Sequence, residues 1–454
     1  MVTAKILKDK GFNVTVYEKG SVVGGTWVYD NDNGRNYLYR NLHINTSQKL
    51  TQFSDFPFDP ETQRVPDHRD MARYLTAYAR RFDLYPLMRF KADVVAVRPL
   101  AGTDTPARWT VRTADGRLDA FDTVIVCTGP FARPAHDEAI RGSFQGEYRH
   151  SSDYRAPEAF VGKRVCIIGA GNSAVDIASD ICTTAARTAL VARSPVFVMP
   201  HFVFGRAIGD ISALMQRRFV PARLRKKVME WLIRAVHGDM ASHGFKPLTK
   251  RVHATISSTI IQDILFERVG VKQGIVNVDA QHIEFTDGSR EPFDCVIAAT
   301  GFVTEFPFLS EEILRPVDNR LDLYKRIAVP GWPGLYFVGM INLDTPINYA
   351  CERQAQWIAS VESESLALPA ADEMRTDIAA KRIWVESNFG HSVRHSLQED
   401  SVRYYAELAR ALKQARRRTA RGAPSEAPHL PSRQAEPATL ALPSFTSSSR
   451  STNS

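Results

Sequence analysis

The stretch from Arg164 to Ala174, Arg-Val-Cys-Ile-Ile-Gly-Ala-Gly-Asn-Ser-Ala, constrains the fold more than any other part of the chain. The apolar run Val165 to Ile168 reads as a buried strand, and the apolar spacing from Ala174 through Ile181 reads as a helix packed back on it. Between them lies Gly169-x-Gly171-x-x-Ala174. Gly169 permits the tight turn, Gly171 lets a ligand approach the backbone, and the small Ala174 allows close packing of helix on strand. The unpaired N–H groups at the start of the helix, from Asn172 and Ser173 onward, suit an anion. A Gly-x-Gly pair alone is weak, but a strand before it and a helix after it meet the structural requirement for a dinucleotide pyrophosphate site. The plain alternative is a glycine turn that binds nothing.

The next strand, Ala189 to Ala192, ends at Arg193. An acid there would accept from a ribose 2′-hydroxyl, whereas an arginine favours a 2′-phosphate, which points to NADPH. A surface arginine that happens to follow a strand is the competing reading. A second helix–strand pair opens the chain: residues 2–10 have helical spacing, Gly11 closes them, and Phe12 to Glu18 reads as a short buried strand. Glu18 stands where the acid of an FAD or NAD unit hydrogen-bonds the ribose. The glycine turn precedes Arg193 by 24 residues, and the same spacing from Glu18 falls before Met1. The first strand and glycine loop of this unit are therefore expected to be missing, and Glu18 read alone is a solvated strand-end acid. Further apolar strands end in Thr128-Gly129, Thr300-Gly301 and Val338-Gly339.

Charge and cysteine content narrow the class. The net charge of +8 is local: residues 217–234 hold seven basic residues against one acid, and residues 413–454 hold seven against two. The remainder is slightly acidic, with no reading motif or aromatic-laced basic face, so no nucleic-acid partner is expected. The 217–234 stretch reads either as a solvated helix face or as a peripheral contact with an anionic membrane. Arg416-Arg417-Arg418 reads as a solvated helix end. Five cysteines without a C-x-x-C pair exclude a zinc ribbon, a redox dithiol and a disulfide framework. No apolar run reaches the length of a transmembrane helix. A cytoplasmic, reducing compartment is expected, and no metal site.

Six ordered motifs resemble the flavin-containing monooxygenase family over about residues 2–400. Phe144-x-Gly146-x-x-x-His150-x-x-x-Tyr154 matches its identifying sequence, and Gly24-Gly25-Thr26-Trp27 its flavin loop. Asn41-Leu42-His43-Ile44-Asn45-Thr46-Ser47 and Phe53-Ser54-Asp55-Phe56-Pro57 are similar to its N-T-S and F-S-D-F-P segments. Ala299-Thr300-Gly301-Phe302 and Glu352-x-Gln354-Ala355-x-Trp357 complete the set.

The resemblance implies an α/β fold with two Rossmann-like dinucleotide-binding domains, the NADPH domain inserted into a discontinuous FAD domain. The expected divisions are 1–150 and 295–400 for FAD, 151–294 for NADPH, 401–421 a C-terminal helix end, and 422–454 a disordered tail. It implies a monooxygenase that uses NADPH and O2 to oxygenate a nitrogen or sulfur nucleophile, an amine or sulfide, through a C4a-hydroperoxyflavin. Asn45 matches the family asparagine beside the flavin and nicotinamide, where a neutral amide suits a donor–acceptor role; by composition it is a turn residue. The implied cofactor-binding set is Glu18, Gly25, Thr26, Trp27, Asn45, Thr46, Gly129, Gly169, Gly171, Asn172, Ser173, Ala174, Arg193, Gly301 and Gly339. His150 reads as an interdomain structural residue, Phe144 and Tyr154 as packing. Tyr154 favours heteroatom oxygenation over the related Baeyer–Villiger monooxygenases, which carry Trp there. Two alternatives remain: a Baeyer–Villiger-type enzyme, and a remnant that binds NADP(H) without flavin activity.

Overall fold

A computed structural model describes residues 1–100, 108–215, 222–248, 252, 254–390 and 393–422. The chain opens with α1 (Val2–Asp9), which ends at Gly11 with φ +84°. Strand β1 follows, confined to Val16–Tyr17, shorter than the expected Phe12 to Glu18. Its sheet has one other member, β2 (Met88–Arg89), in parallel register, so the ladder runs for two residues only. The intervening α2 (His68–Arg81) is fixed by a reciprocal cap: the Asp67 carboxylate accepts from the Asp70 N–H at 2.8 Å and the Asp70 carboxylate from the Asp67 N–H at 3.3 Å. The antiparallel β3 (Val94–Pro99), β4 (Trp109–Thr113) and β5 (Leu118–Phe121) then lead directly into β6 (Val124–Val126).

The middle of the chain forms a complete parallel sheet. Its members are β7 (Glu147–His150), β8 (Arg164–Ile168), β9 (Arg187–Val191) and β10 (Val269–Lys272). The antiparallel β11 (Ile275–Asp279), β12 (His282–Phe285) and β13 (Arg290–Pro292) lead directly into β14 (Cys295–Ala298), the fifth member. The order is β10-β9-β8-β14-β7, every neighbour parallel. Val165, Cys166 and Ile167 of β8 are wholly buried, as a central strand covered on both faces requires. One face carries α3 (Asn172–Ile181), with Ala174, Val175, Ile177, Ala178 and Ile181 turned inward. The other packs on the β11–β13 sheet through Phe285 and Phe293.

Next come a hairpin at Phe202–Val203 and Arg206–Ala207, then α4 (Ile208–Met215) and α5 (Ala222–His237). Positive φ at Phe204 and Gly205 makes the turn. Leu232 and Ile233 are buried and Trp231 is exposed; Arg217 and Arg218 lie outside the described residues. A short α6 (Ile260–Leu265) packs on α3. β15 (Leu335–Phe337) pairs in parallel with β6, and on its other edge Tyr336 makes a single antiparallel bridge to Ala328. The chain closes with α7 (Ile347–Ser363), α8 (Ala371–Phe389) and α9 (Ser401–Ala420). Arg416, read as a solvated helix-end residue, makes a two-pronged pair with Glu364 at 2.6 and 2.7 Å. The tail expected to be disordered lies, from residue 423 on, outside the described residues.

The complete sheet takes in Glu147–His150 and Cys295–Ala298, each just outside the expected span 151–294. Cys295–Ala298 is a short apolar run and Glu147–His150 a polar stretch within a motif, and sequence alone does not tell which sheet either joins.

Candidate functional site

Gly169 shows why its position is restricted. Its φ is +121°, and a Cβ there would stand 2.4 Å from the Ala299 carbonyl oxygen. The turn therefore passes directly over the end of β14, and Ala174 is wholly buried beneath it. Gly171 is the N-cap of α3 with no side chain capping it, so the first-turn N–H groups of Asn172 and Ser173 face outward. The Asn172 side chain instead accepts from the Ile256 N–H at 2.9 Å and ties the turn to the neighbouring loop. Arg193 is exposed, with no ion pair among the described residues. A glycine turn, an uncapped helix start and a free guanidinium past the next strand fit a dinucleotide carrying a 2′-phosphate.

A single cavity of about 1950 Å³ lies beside this turn, well beyond the usual 300–1,000 Å³ of a small-ligand pocket. It gathers Glu18, Gly25, Thr26, Trp27, Asn45, Thr46 and Gly129 from the first part of the chain, Asn172 from the complete unit and Gly339 from the segment that follows it. Gly169, Gly171, Ser173, Ala174, Arg193 and Gly301 are not among its lining residues. The loop at Gly24–Trp27 is held by the Asn31 side chain, which donates to the Gly25 carbonyl at 2.6 Å. Trp27 lines the cavity and also packs on the core under α2. Asn45 is half-buried at the wall, and its side-chain amide makes no hydrogen bond among the described residues.

The Asn45 loop is held by groups that the sequence reading did not single out. Thr46 Oγ1 and Thr51 Oγ1 are 2.7 Å apart, and Ser47 donates to Asp210 Oδ1 of α4 at 2.5 Å. From α7, Asn348 donates to the Thr51 carbonyl at 2.7 Å, and the buried Glu352 accepts from both the N–H and the hydroxyl of Ser54. Glu352 belongs to a motif visible in the sequence; its partner, 298 residues away, is not.

His150 has the structural place expected of it. Its Nδ1 accepts from the Ser152 N–H at 3.1 Å, which leaves Nε2 to donate to the Gly301 carbonyl at 2.9 Å. Burial lowers its pKa, consistent with a neutral ring. Tyr154 is buried and donates to Asp180 Oδ2 at 2.5 Å, and Asn41 donates to Asp180 Oδ1 at 2.8 Å. Tyr39 donates to Asp176 Oδ2 at 2.6 Å, and burial lifts that carboxyl to about 6. These three carboxylate contacts join α3 to segments outside the 151–294 span or at its edge. In Phe144-x-Gly146, a Cβ on Gly146 would strike the Phe144 ring at 2.6 Å.

Glu18 lines the cavity, yet its Oε1 accepts from the Gly20 N–H at 2.8 Å. Ladder register places Glu18 level with Ala192 rather than Arg193: the Glu18 N–H donates to the Arg89 carbonyl of β2 as the Ala192 N–H donates to the Lys272 carbonyl of β10. The flavin ring and ribose of FAD fit the residues at this wall.

A family model described as flavin-binding monooxygenase-like matches residues 1–417. The chain is 32% identical over 431 residues to flavin-containing monooxygenase 5 of Oryctolagus cuniculus, covering 89% of this chain and 79% of that one. It is 28% identical over 430 residues to dimethylaniline monooxygenase (N-oxide-forming) 2 of Mus musculus, covering 90% and 80%. Among solved structures, S-allyl-L-cysteine S-oxygenase from Allium sativum superposes with a TM-score of 0.67 at 26% identity, over 91% of this chain and 85% of that one. Open cyclohexanone monooxygenase superposes at 0.62 and 17% identity, over 93% and 95%, a likeness of fold.

Proposed function

The chain belongs to the flavin-binding monooxygenase-like family, which uses FAD and NADPH, and we propose that its two nucleotide units divide that work. The family activity is flavin-dependent oxygenation of a nitrogen or sulfur nucleophile with NADPH and O2. In this reading the Gly169–Ala174 turn carries the NADPH pyrophosphate, with Gly171, Asn172 and Ser173 presenting backbone N–H groups to it. Arg193 meets the 2′-phosphate. Glu18, Gly25, Thr26, Trp27, Thr46, Gly129 and Gly339 border the flavin and its ribose, and Gly301 is the crossing that His150 fixes. When bound, FAD supplies the redox chemistry, accepting a hydride from NADPH and activating O2 for transfer of one oxygen atom.

The observation that carries this reading is the cavity wall shared by the Asn45 loop and Asn172 at the start of α3. Asn45 would orient the nicotinamide against the ring through its unengaged amide. Apolar walls there would keep bulk water from the reacting atoms. The substrate is a small nucleophile such as an amine or a thioether, as the names of the N-oxide-forming and S-oxygenase relatives suggest. No helix among the described residues is long and apolar enough to cross a membrane.

The test is NADPH oxidation by the purified chain with added FAD and a thioether, with products read by mass spectrometry. Sulfoxide formed in step with NADPH loss is the expected result. Lactone from a cyclic ketone, with no sulfoxide, would move the chain to Baeyer–Villiger chemistry. NADPH binding without oxidation at saturating FAD would leave only the nucleotide-binding role.

A further inference from the structure

A second cavity, of about 230 Å³, lies between the loop 318–328, α8 and the start of α9. It is separate from the reaction cavity: of the residues that line it, only Glu399 also lines the first. Its inner end is built on a turn. Tyr324 and Ala328 exchange backbone hydrogen bonds at 2.8 and 3.0 Å, and between them Lys325 and Arg326 take φ of +53° and +61°. Two successive side-chain-bearing residues in the left-handed region are strained, and persist only where the surroundings hold them. Here α7 and α9 do so: Gln354 donates to the Tyr404 hydroxyl at 2.7 Å, and that hydroxyl donates to the Lys325 carbonyl at 3.0 Å.

The turn carries Arg326 inward, where its side chain is 8% exposed. Its Nε donates to Glu399 Oε1 at 3.0 Å. Lys381 Nζ donates to Glu399 Oε2 at 2.9 Å and to Glu407 Oε2 at 2.7 Å, and Arg403 donates to Glu407 Oε1 at 2.6 Å. The row Arg326–Glu399–Lys381–Glu407–Arg403 alternates in sign and sets three cations against two carboxylates. Its outer end, Arg403, is 38% exposed and open to solvent. Its inner end is the Arg326 fork, which borders the second cavity and whose two Nη groups make no hydrogen bond among the described residues. A guanidinium has five N–H donors, so four are left open. A buried cation in that state is destabilising until an acceptor meets it. We infer that the second cavity is a binding site for one small carboxylate, seated on the Nη fork of Arg326.

The fork presents parallel N–H groups with the spacing of two carboxylate oxygens. One negative charge is what the row lacks, so the occupant is a monoanion. The other acids at the cavity have cations of their own: Asp377 pairs with Lys325, Asp322 with Arg382, and Asp318 and Glu386 share Arg320. The acid in excess is at the exposed side, where Asp318 is screened by water. The sides are aliphatic, from the buried Leu321, Leu323, Ile378 and Val385. A volume below the usual 300–1,000 Å³ of a small-ligand pocket limits the occupant to a stem of a few carbons. The ligand class is therefore a short-chain aliphatic carboxylate. The site is independent of the reaction proposed above, and its readout is binding alone.

The probe is sodium butyrate, titrated into the full chain at pH 7 in place of sodium chloride at constant ionic strength, with the thermal midpoint as readout. The midpoint is expected to rise and saturate, because a ligand held by the folded state alone stabilises it. Butyramide, uncharged and of the same shape, should leave the midpoint unchanged. Acetate, shorter by two methylenes, should bind about tenfold more weakly. Arg326→Lys keeps a cation beside Glu399 without the fork, and should weaken butyrate binding at least about tenfold. Arg193→Ala should respond to butyrate as the unsubstituted chain does. Absence of a saturable rise, or an equal rise with butyramide, overturns the inference whether or not the Arg326 variant folds. So does equal affinity for acetate and butyrate, or unchanged butyrate binding in Arg326→Lys. Loss of the response in Arg193→Ala also overturns it, by placing the anion at the dinucleotide turn.

Discussion

Ile297 of β14 and Ile125 of β6 hold equivalent places, each three residues ahead of the threonine of a Thr-Gly strand end. Ile297 lies in a strand with neighbours on both sides and is 1% exposed. Ile125 lies in a strand with one neighbour and is half-buried beside a cavity. The contrast shows what a central strand does for a nucleotide unit: it joins two strand pairs into one sheet and carries the turn on which phosphates sit.

The largest expected effect tests that contrast through packing. Ile167→Ala, at the centre of the complete unit, should lower stability by about 2–5 kcal/mol, because a wholly buried side chain leaves a cavity that tight surroundings cannot close. Ile125→Ala should cost only about 1 kcal/mol, since its side chain is half-exposed and already borders open space. Denaturant unfolding of the two variants measures both. Equal losses would mean that the open unit is packed as tightly as the complete one.

Amide exchange sharpens the same comparison. The Ile297 N–H faces β8 and should open only with large-scale unfolding of its sheet, whereas the Ile125 N–H faces no strand among the described residues. A ratio of at least about a hundredfold in exchange rate is expected between them. Comparable rates would mean that the two strands are equally protected.

The same difference explains how much could be read in advance. Arg164–Ile168 and the helix through Ile181 were legible to the residue, because a buried parallel strand, a glycine turn and an apolar helix face are all written in local spacing. The expected strand Phe12 to Glu18 shrinks to Val16–Tyr17 because a ladder depends on its partners, and among the described residues β2 is its one partner. Asn45 and the Gly24–Trp27 loop were visible as motifs and do share one cavity. The groups that hold them, Asp210 for Ser47 and Glu352 for Ser54, are joined across long stretches of chain, which no periodicity encodes. Arg193 was legible as a strand-end residue, but its one-residue offset from Glu18 appears only in the ladder register.

That offset bears on nucleotide choice. Arg193→Ala should reduce the preference for NADPH over NADH by about tenfold, the loss expected for one exposed charge-assisted contact to a phosphate. Binding of the two nucleotides, measured by titration, reads it directly. An unchanged ratio would make Arg193 a surface residue and move the 2′-phosphate elsewhere. The open unit offers no equivalent, since Glu18 is engaged with the Gly20 N–H.

The smallest effect concerns the joint between the two regions. Asp176, on α3 of the complete unit, accepts from Tyr39 of the first part of the chain. Burial raises its carboxyl to about 6, above the roughly 3.9 of an unfolded aspartate. The folded chain therefore holds that proton more tightly than the unfolded one. Stability from this group is fully present below about pH 4, falls as pH rises through 6, and above that the buried anion is a standing cost. Asp176→Asn keeps an acceptor for the Tyr39 hydroxyl and removes the charge. It should raise the thermal midpoint at pH 8 and leave it nearly unchanged at pH 4. Asp176→Ala strips Tyr39 of its acceptor and should lower the midpoint at both pH values. A loss of stability in the Asn variant at pH 8 would show that the carboxylate is held as an anion by a partner at the joint, and that the two regions are tied by charge rather than by a shared neutral hydrogen bond.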